Sequence, residues 1–278
     1  MELRFVTYLA PSIPRALFEA VVDHVRHVLG YERASLLVET RTSGPEKGGY
    51  DPFSDGKADV GFLCSPSLVW LREVAHPSAE LLGAAPVFED ERAGGRPVYF
   101  CDVVVRREDP IRSFGDLEAR SWAYNDVCSL SGYHSLLAKL AEMGADDRYF
   151  DRLVHSGSHL RSLGAILRGE VDAAAIDSNV LRMRLREDPA LRGCLRVIES
   201  WGPFPIQPVV VRSTLPPDLK AELRDCLLEA GTYPRFRRAV SRFGLRGFTL
   251  VEDEDYPPGS LVFAARETGR GGRRSSPG

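Results

Sequence analysis

The chain has 278 residues, enough for two ordinary domains or one large lobed one. Hydrophobic residues supply 44% and charged residues 27%, with 19 prolines and 25 glycines, which is the composition of a globular protein and not of a disordered one. Lys and Arg number 36 against 39 Asp and Glu, a formal charge of -3 that offers no overall field to nucleic acid or an anionic membrane, and the longest apolar run, Leu261 to Ala265, falls far short of the roughly 20 residues of a spanning helix.

From Met1 to Pro11 the chain lacks a basic n-region, and its apolar stretch is broken by Thr7 and stopped by Pro11, unlike a secretory signal. Leu3 to Leu9 is instead a short strand, with Ser12 and Pro14 placed for a helix N-cap and first turn. Leu17, Phe18, Val21, Val22, Val25, Val28 and Leu29 then make one apolar helix face, stopped at Gly30. Ser35 to Val38 reads as a strand, and Gly44 to Asp55 as a loop.

A repeat follows. Gly56-Lys57-Ala58-Asp59 and Gly169-Glu170-Val171-Asp172 share a Gly-x-x-Asp pattern, each leading into a buried strand of small residues. Downstream of each comes a second match, Val103-Val104-Val105-Arg106 and Val209-Val210-Val211-Arg212, with Pro110 and Pro216 at the same offset. The order is kept, so two α/β lobes built on one plan are expected, each a mostly parallel sheet flanked by helices. The Val-rich runs have the look of buried strands of a parallel sheet and serve as the interlobe crossings. Residues 1–103 with 210–265 then form lobe one and 104–209 lobe two, with a ligand cleft between them.

Within lobe two, Ser121 to Tyr124 and Arg152 to Val154 read as strands, Ser131 to Met143 and Ser158 to Arg168 as helices. Pro217 to Ala230 and Pro234 to Phe243 supply two more helices, and Phe248 to Val251 and Leu261 to Ala265 two weaker strands. The Arg-rich segment from Arg266 to Gly278 is expected to be a solvated tail.

Nucleotide, zinc and hydrolase signatures are missing, and no cofactor or metal is expected. What remains is a set of small polar clusters between a strand and a helix: Ser65-Pro66-Ser67, Ser129-Leu130-Ser131-Gly132-Tyr133 and Ser156-Gly157-Ser158-His159. A helix start leaves backbone N–H groups unpaired and carries about half a positive charge, so such places suit an oxyanion. Taken singly, each serine reads first as a plain N-cap, and it is the three clusters in succession at strand ends that point to a ligand. Asp177 ends a strand where open α/β sheets place ligands, and is either a cap or a functional carboxylate; Tyr8, Tyr124 and Asn125 share that location. His155 and His159 have a metal-compatible spacing without a third ligand. Cys128 is a buried cysteine or a nucleophile. The five scattered cysteines, an odd number, favour a reducing compartment: cytoplasmic as the chain is numbered, periplasmic or extracellular if a leader was removed.

Taken together, these residues resemble the PhnD-like phosphonate/phosphate/phosphite substrate-binding proteins of ABC transporters, a family with the two-lobed type II periplasmic-binding fold. The likeness covers roughly residues 3 to 230. It runs through Tyr8, Gly56 to Leu63, Val103 to Arg106, Pro110 to Leu117, Ser129 to Tyr133, Ser156 to His159, Gly169 to Ala173 with Asp177, and Pro208 to Arg212. The resemblance implies that Ser129, Ser131 and His159 on lobe two and the Ser65-Pro66-Ser67 turn on lobe one hold the phosphonate-like group, with Tyr8 and Asp177 facing the rest of the ligand. Tyr124, Gly132, Tyr133 and Ser158 complete the expected site.

A cleft that closes on a small anionic ligand, with an ABC-transporter permease as partner, is the function this implies. The competing reading is a cytoplasmic enzyme on the same fold, similar to menaquinone- and thiamine-pathway enzymes, with Cys128 and His159 as its reactive pair. A Cys128 sulfur in the cleft near His159 favours the enzyme, and a sulfur buried in the lobe favours binding.

Overall fold

The structure, a computed structural model, describes residues 2–257. In chain order its strands are β1 (Glu2–Thr7), β2 (Arg33–Val38), β3 (Val60–Phe62), β4 (Ala79–Leu81), β5 (Ala84–Phe88), β6 (Val98–Arg106), β7 (Ser121–Tyr124), β8 (Arg152–His155), β9 (Ala173–Asp177), β10 (Leu195–Pro205), β11 (Val209–Arg212) and β12 (Leu245–Leu250). The helices are α1 (Arg15–Val28), α2 (Ser65–Arg72), α3 (Ser135–Glu142), α4 (His159–Leu167), α5 (Ser178–Glu187), α6 (Leu191–Cys194), α7 (Pro217–Glu229) and α8 (Pro234–Val240).

Two five-stranded sheets carry the fold, in the orders β2-β1-β3-β11-β4 and β10-β6-β9-β7-β8; β5 and β12 form a separate ribbon. The first sheet draws on strands from both ends of the chain, whereas the strands of the second run from Val98 to Pro205 without leaving it. Val103 therefore sits mid-strand in the second sheet, and the chain passes between the halves at 89–97 and 206–208. This is the two-lobed α/β architecture expected from the sequence, with one difference. The Val-rich runs are fully buried, as their composition requires, but β6 pairs antiparallel with β9 and β10, and β11 antiparallel with β3 and β4. Burial on both faces selects β-branched residues whichever way the strand points.

The Gly-x-x-Asp repeat has one structural meaning in both halves. Asp59, just before β3, accepts from the backbone N–H and guanidinium of Arg4 on β1, each at 3.0 Å, and from Arg212 on β11 at 2.7 Å. Asp172, just before β9, accepts from the N–H of Ser121 at the start of β7 at 2.8 Å and from its hydroxyl at 2.6 Å. Each carboxylate pins the start of its strand to a neighbour and so fixes the register of a parallel pair.

Several expectations are corrected. Ser12 does not cap α1, whose N-cap is Pro14 without a side-chain bond. The helix expected from Ser131 opens as a wide π turn over Leu130–His134, because the Ser131 carbonyl is taken by the Ser135 hydroxyl at 2.6 Å and by Cys101 Sγ at 2.8 Å. The eleven-residue β10 escaped detection since it holds Pro203 and Pro205; it lies at a sheet edge and bulges twice, where missing N–H groups are tolerated. The Leu261 to Ala265 strand and the Arg266 to Gly278 tail lie outside the described residues.

A second apolar core lies beneath the second sheet, where Trp122 stacks on Trp201 at 6.3 Å and meets Phe114 edge-on at 5.8 Å. Rigid cores under both sheets leave the ends of the strands to form the site.

Candidate functional site

The carboxyl ends of strands from both sheets face one small cavity. The segments after β1, β2 and β3 bring Tyr8, Ser12, Thr40, Thr42, Ser43 and Cys64; those after β7, β8 and β9 bring Asn125, Asp126, Gly157, Ser158, His159 and Asp177. Ser129 and Ser131 enter from the π turn, and Gln207 from the passage between β10 and β11. About 30 Å³ is open to the centre of a water molecule, room for a few waters or one compact polar group.

The lining contains no Lys or Arg. The positive ends of backbone dipoles face it instead, beside the carboxyl groups of Asp126 and Asp177, for α1, the turn leading into α3, α4 and α5 all begin near this cavity. Their caps are visible. Ser129 Oγ accepts from Gly132 N at 3.1 Å, Ser158 Oγ from Arg161 N at 3.2 Å, and Asp177 Oδ1 from Asn179 N at 2.7 Å and Val180 N at 3.3 Å. Asp177 is thus the cap of α5, and its second oxygen accepts from Gln207 Nε2.

Burial sets the protonation states. It holds the His159 imidazole down to about 4, with the Ala175 carbonyl pulling the other way, so the ring is neutral at pH 7. It pushes the Asp177 carboxyl up to about 6 and the Cys64 thiol up to about 12. Tyr8 is raised too, first by burial and then by Glu39 and Asp51. His159 Nε2 lies 3.0 Å from Ser131 Oγ. Gly132 packs beneath this pair, where a Cβ would stand 1.7 Å from Asn125 Oδ1 and 3.2 Å from His159 Cε1; no other residue fits.

At three places the halves join directly across the cavity. The Ser12 hydroxyl accepts from His159 N at 3.0 Å, Cys64 Sγ accepts from Leu130 N at 3.2 Å, and Ser43 donates to Asp126 through its N–H at 3.1 Å and its hydroxyl at 2.5 Å while the same hydroxyl accepts from Asn125 Nδ2 at 3.4 Å. The cleft is therefore shut.

Of the eleven residues expected to form the site, Tyr8, Ser129, Ser131, Ser158, His159 and Asp177 line the cavity, and so do Asn125 and Gly157, which the sequence also singled out. Ser65, Ser67, Tyr124, Gly132 and Tyr133 do not. Ser65 and Ser67 fall inside the first turn of α2, capped by Cys64, and are buried in lobe one, where Ser67 Oγ donates to the Pro45 carbonyl at 2.8 Å. Tyr124 and Tyr133 pack on one another at 5.1 Å, with His155 beside Tyr124 at 5.4 Å. Cys128 is fully buried and lines none of the cavity; its N–H donates to Asp126 at 2.9 Å. The sequence reading missed Ser12, Ser43, Cys64, Asp126 and Gln207. Asp126 and Gln207 stand just beyond strand ends, which is the signal that would have found them.

A family model described as ABC transporter, phosphonate, periplasmic substrate-binding protein matches residues 4–256. The phosphonates-binding periplasmic protein of Escherichia coli (strain K12) is 26% identical over 174 residues, 60% of this chain; the match spans half of that relative's length. Two solved structures share the fold. The binding protein component of an ABC phosphonate transporter from Pseudomonas aeruginosa has a TM-score of 0.77 at 18% identity, covering 92% of this chain and 83% of that one. PhnD1 from Prochlorococcus marinus (MIT 9301), in complex with methylphosphonate, has a TM-score of 0.76 at 15% identity, covering 97% of both chains. With the family model matched along nearly its whole described length, the chain belongs to the periplasmic phosphonate substrate-binding proteins of ABC transporters.

Proposed function

We propose that this protein binds a small phosphonate, phosphate or phosphite between its two lobes, closes on it, and delivers it in the periplasm to an ABC-transporter permease without covalent chemistry. The observation that carries this reading is the convergence of helix starts, with the hydroxyls of Ser129, Ser131 and Ser158 and the neutral imidazole of His159, on one cavity sized for a compact polar group. Amide and hydroxyl donors recognise an oxyanion without requiring a cationic side chain. On this reading Ser129, Ser131 and His159 hold the anionic head, while Tyr8 and Asp177 flank the remainder of the ligand. The two sheets, each with its helices, are the halves that move, and 89–97 with 206–208 are the hinge. Transfer chemistry through Cys128 and His159 gains no support from a sulfur buried away from the cavity.

Calorimetric titration with methylphosphonate, phosphate and phosphite, with sulfate beside them, tests the proposal. At a ligand concentration 100 times Kd the fold should gain about 2.7 kcal/mol, read as a rise in Tm. Silence from all three phosphorus oxyanions would overturn it.

A further inference from the structure

The contact between Ser43 and Asp126 differs in kind from the other two that cross the cavity. In the Ser12–His159 and Cys64–Leu130 contacts the donor is a backbone N–H at a helix start, a group that an entering oxyanion would take for itself. At Ser43 the acceptor is itself a buried carboxylate, so an anion could take the Ser43 donors only by coming up against the Asp126 oxygens and stranding them, and the contact is expected to stay in place when an anion enters.

Both sides are built to meet. On lobe one the segment Ser43-Gly44-Pro45 is held flat against α2. Cys64 N donates to the Ser43 carbonyl at 2.8 Å, Ser67 Oγ donates to the Pro45 carbonyl at 2.8 Å, and a Cβ on Gly44 would stand 2.2 Å from Ser67 Oγ. This arrangement turns the Ser43 N–H and O–H outward together. On lobe two the Asp126 carboxylate is oriented by Cys128 N on Oδ1 at 2.9 Å and Asn125 Nδ2 on Oδ2 at 3.0 Å, leaving one lone pair on each oxygen for Ser43. Closure completes four donors on two oxygens of a carboxylate that is only 3% exposed.

We propose that Ser43 and Asp126 are a latch: they hold the cleft shut before ligand arrives and remain engaged once it is bound. Asp126 is then a positioning residue that sets the population of the closed form. The inference rests on reading the sheets as two halves that move, and its test is therefore made without ligand. Ser43→Ala removes the hydroxyl's bonds to Asp126 and Asn125 and keeps the N–H bond, and Asp126→Asn replaces one acceptor oxygen with a donor.

Ligand-free protein is examined by small-angle scattering and by amide hydrogen exchange. The expected result is a larger radius of gyration in both variants and exchange of the Leu130 and His159 amides, which bond across the cavity, faster by ~5-fold in Ser43→Ala and ~10-fold or more in Asp126→Asn, with no further increase in the double variant. Methylphosphonate affinity, if present, should weaken in the same order, because the apparent Kd scales inversely with the competent fraction. A scattering profile and exchange rates equal to the parent protein's in folded Ser43→Ala would overturn the latch, as would effects that simply add in the double variant. Should Asp126→Asn fail to fold, Ser43→Ala alone decides. A protein that binds no oxyanion yet shows the ligand-free changes would keep the latch and lose the assigned ligand.

Discussion

Ser131 Oγ and His159 Nε2 lie 3.0 Å apart in the second lobe, both buried, at the openings of two different helices. The hydroxyl rotates to give or to take a proton, so it complements a neutral imidazole in either tautomer. Together they offer an adaptable donor pair to whatever oxygen enters the cavity. Truncating either, as Ser131→Ala or His159→Ala, should weaken methylphosphonate binding by 10-fold or more, about 1.4 kcal/mol or above. Calorimetry checks this, and unchanged affinity in both variants would remove the pair from the site.

Acid should expose two opposed titrations. The His159 pKa falls from 6.5 to about 4 on folding, so between those pH values the unfolded chain takes up a proton that the native state refuses, and stability is lost as the pH falls. Asp177 rises from 3.8 to about 6, so its native carboxyl takes a proton first; stability is gained as the pH falls through 6 and is lost as it rises again. At about 1.4 kcal/mol per unit each arm approaches 3 kcal/mol, and the two nearly cancel. Urea denaturation from pH 6.5 to 4 should show Asp177→Asn losing up to about 3 kcal/mol more than the parent on acidification, and His159→Gln moving the other way. Parallel pH slopes in all three proteins would contradict the account.

Gly132 is constrained by space and not by its backbone angles. A methyl group there would sit 1.7 Å from Asn125 Oδ1, a side chain held by Ser43 and Asp126. Gly132→Ala should cost about 1–3 kcal/mol and disturb His159 and Asn125 together, lowering both Tm and ligand affinity. Retention of the parent Tm would mean that Asn125 yields more easily than its bonds suggest.

Asp59 holds Arg4 and Arg212 to one buried carboxylate, while the two guanidinium groups keep some access to water. Its loss therefore strands the Arg4 N–H more than it strands charge. Asp59→Ala should destabilise by about 2 kcal/mol, and Asp172→Ala, which strands the Ser121 N–H, by a comparable amount. Denaturant midpoints measure both, and a cost confined to one of them would break the structural equivalence of the repeat.

The chain's local chemistry determined much of this protein before any folding was considered. The Gly-x-x-Asp repeat, the buried Val runs, and the caps Ser129, Ser158 and Asp177 are legible because each depends on neighbours within a few residues, or on composition alone. Six of the eleven residues proposed for the site line the cavity for that reason: strand ends and helix starts can be found from periodicity.

Tertiary structure decided the rest. The edge strand β10 hides behind its prolines, which become tolerable only once a sheet edge exists to receive them. Ser12 looks like a cap and instead meets His159, 147 positions away; Ser43 finds Asp126 at a separation of 83; Ser65 and Ser67 share the same polar chemistry yet turn into their own lobe because Cys64, not Ser65, opens the helix. A hydroxyl makes the same hydrogen bond to its own helix or to the opposite lobe, so sequence fixes its capacity to bond while only the path of the backbone, set by burial of two cores, selects its partner.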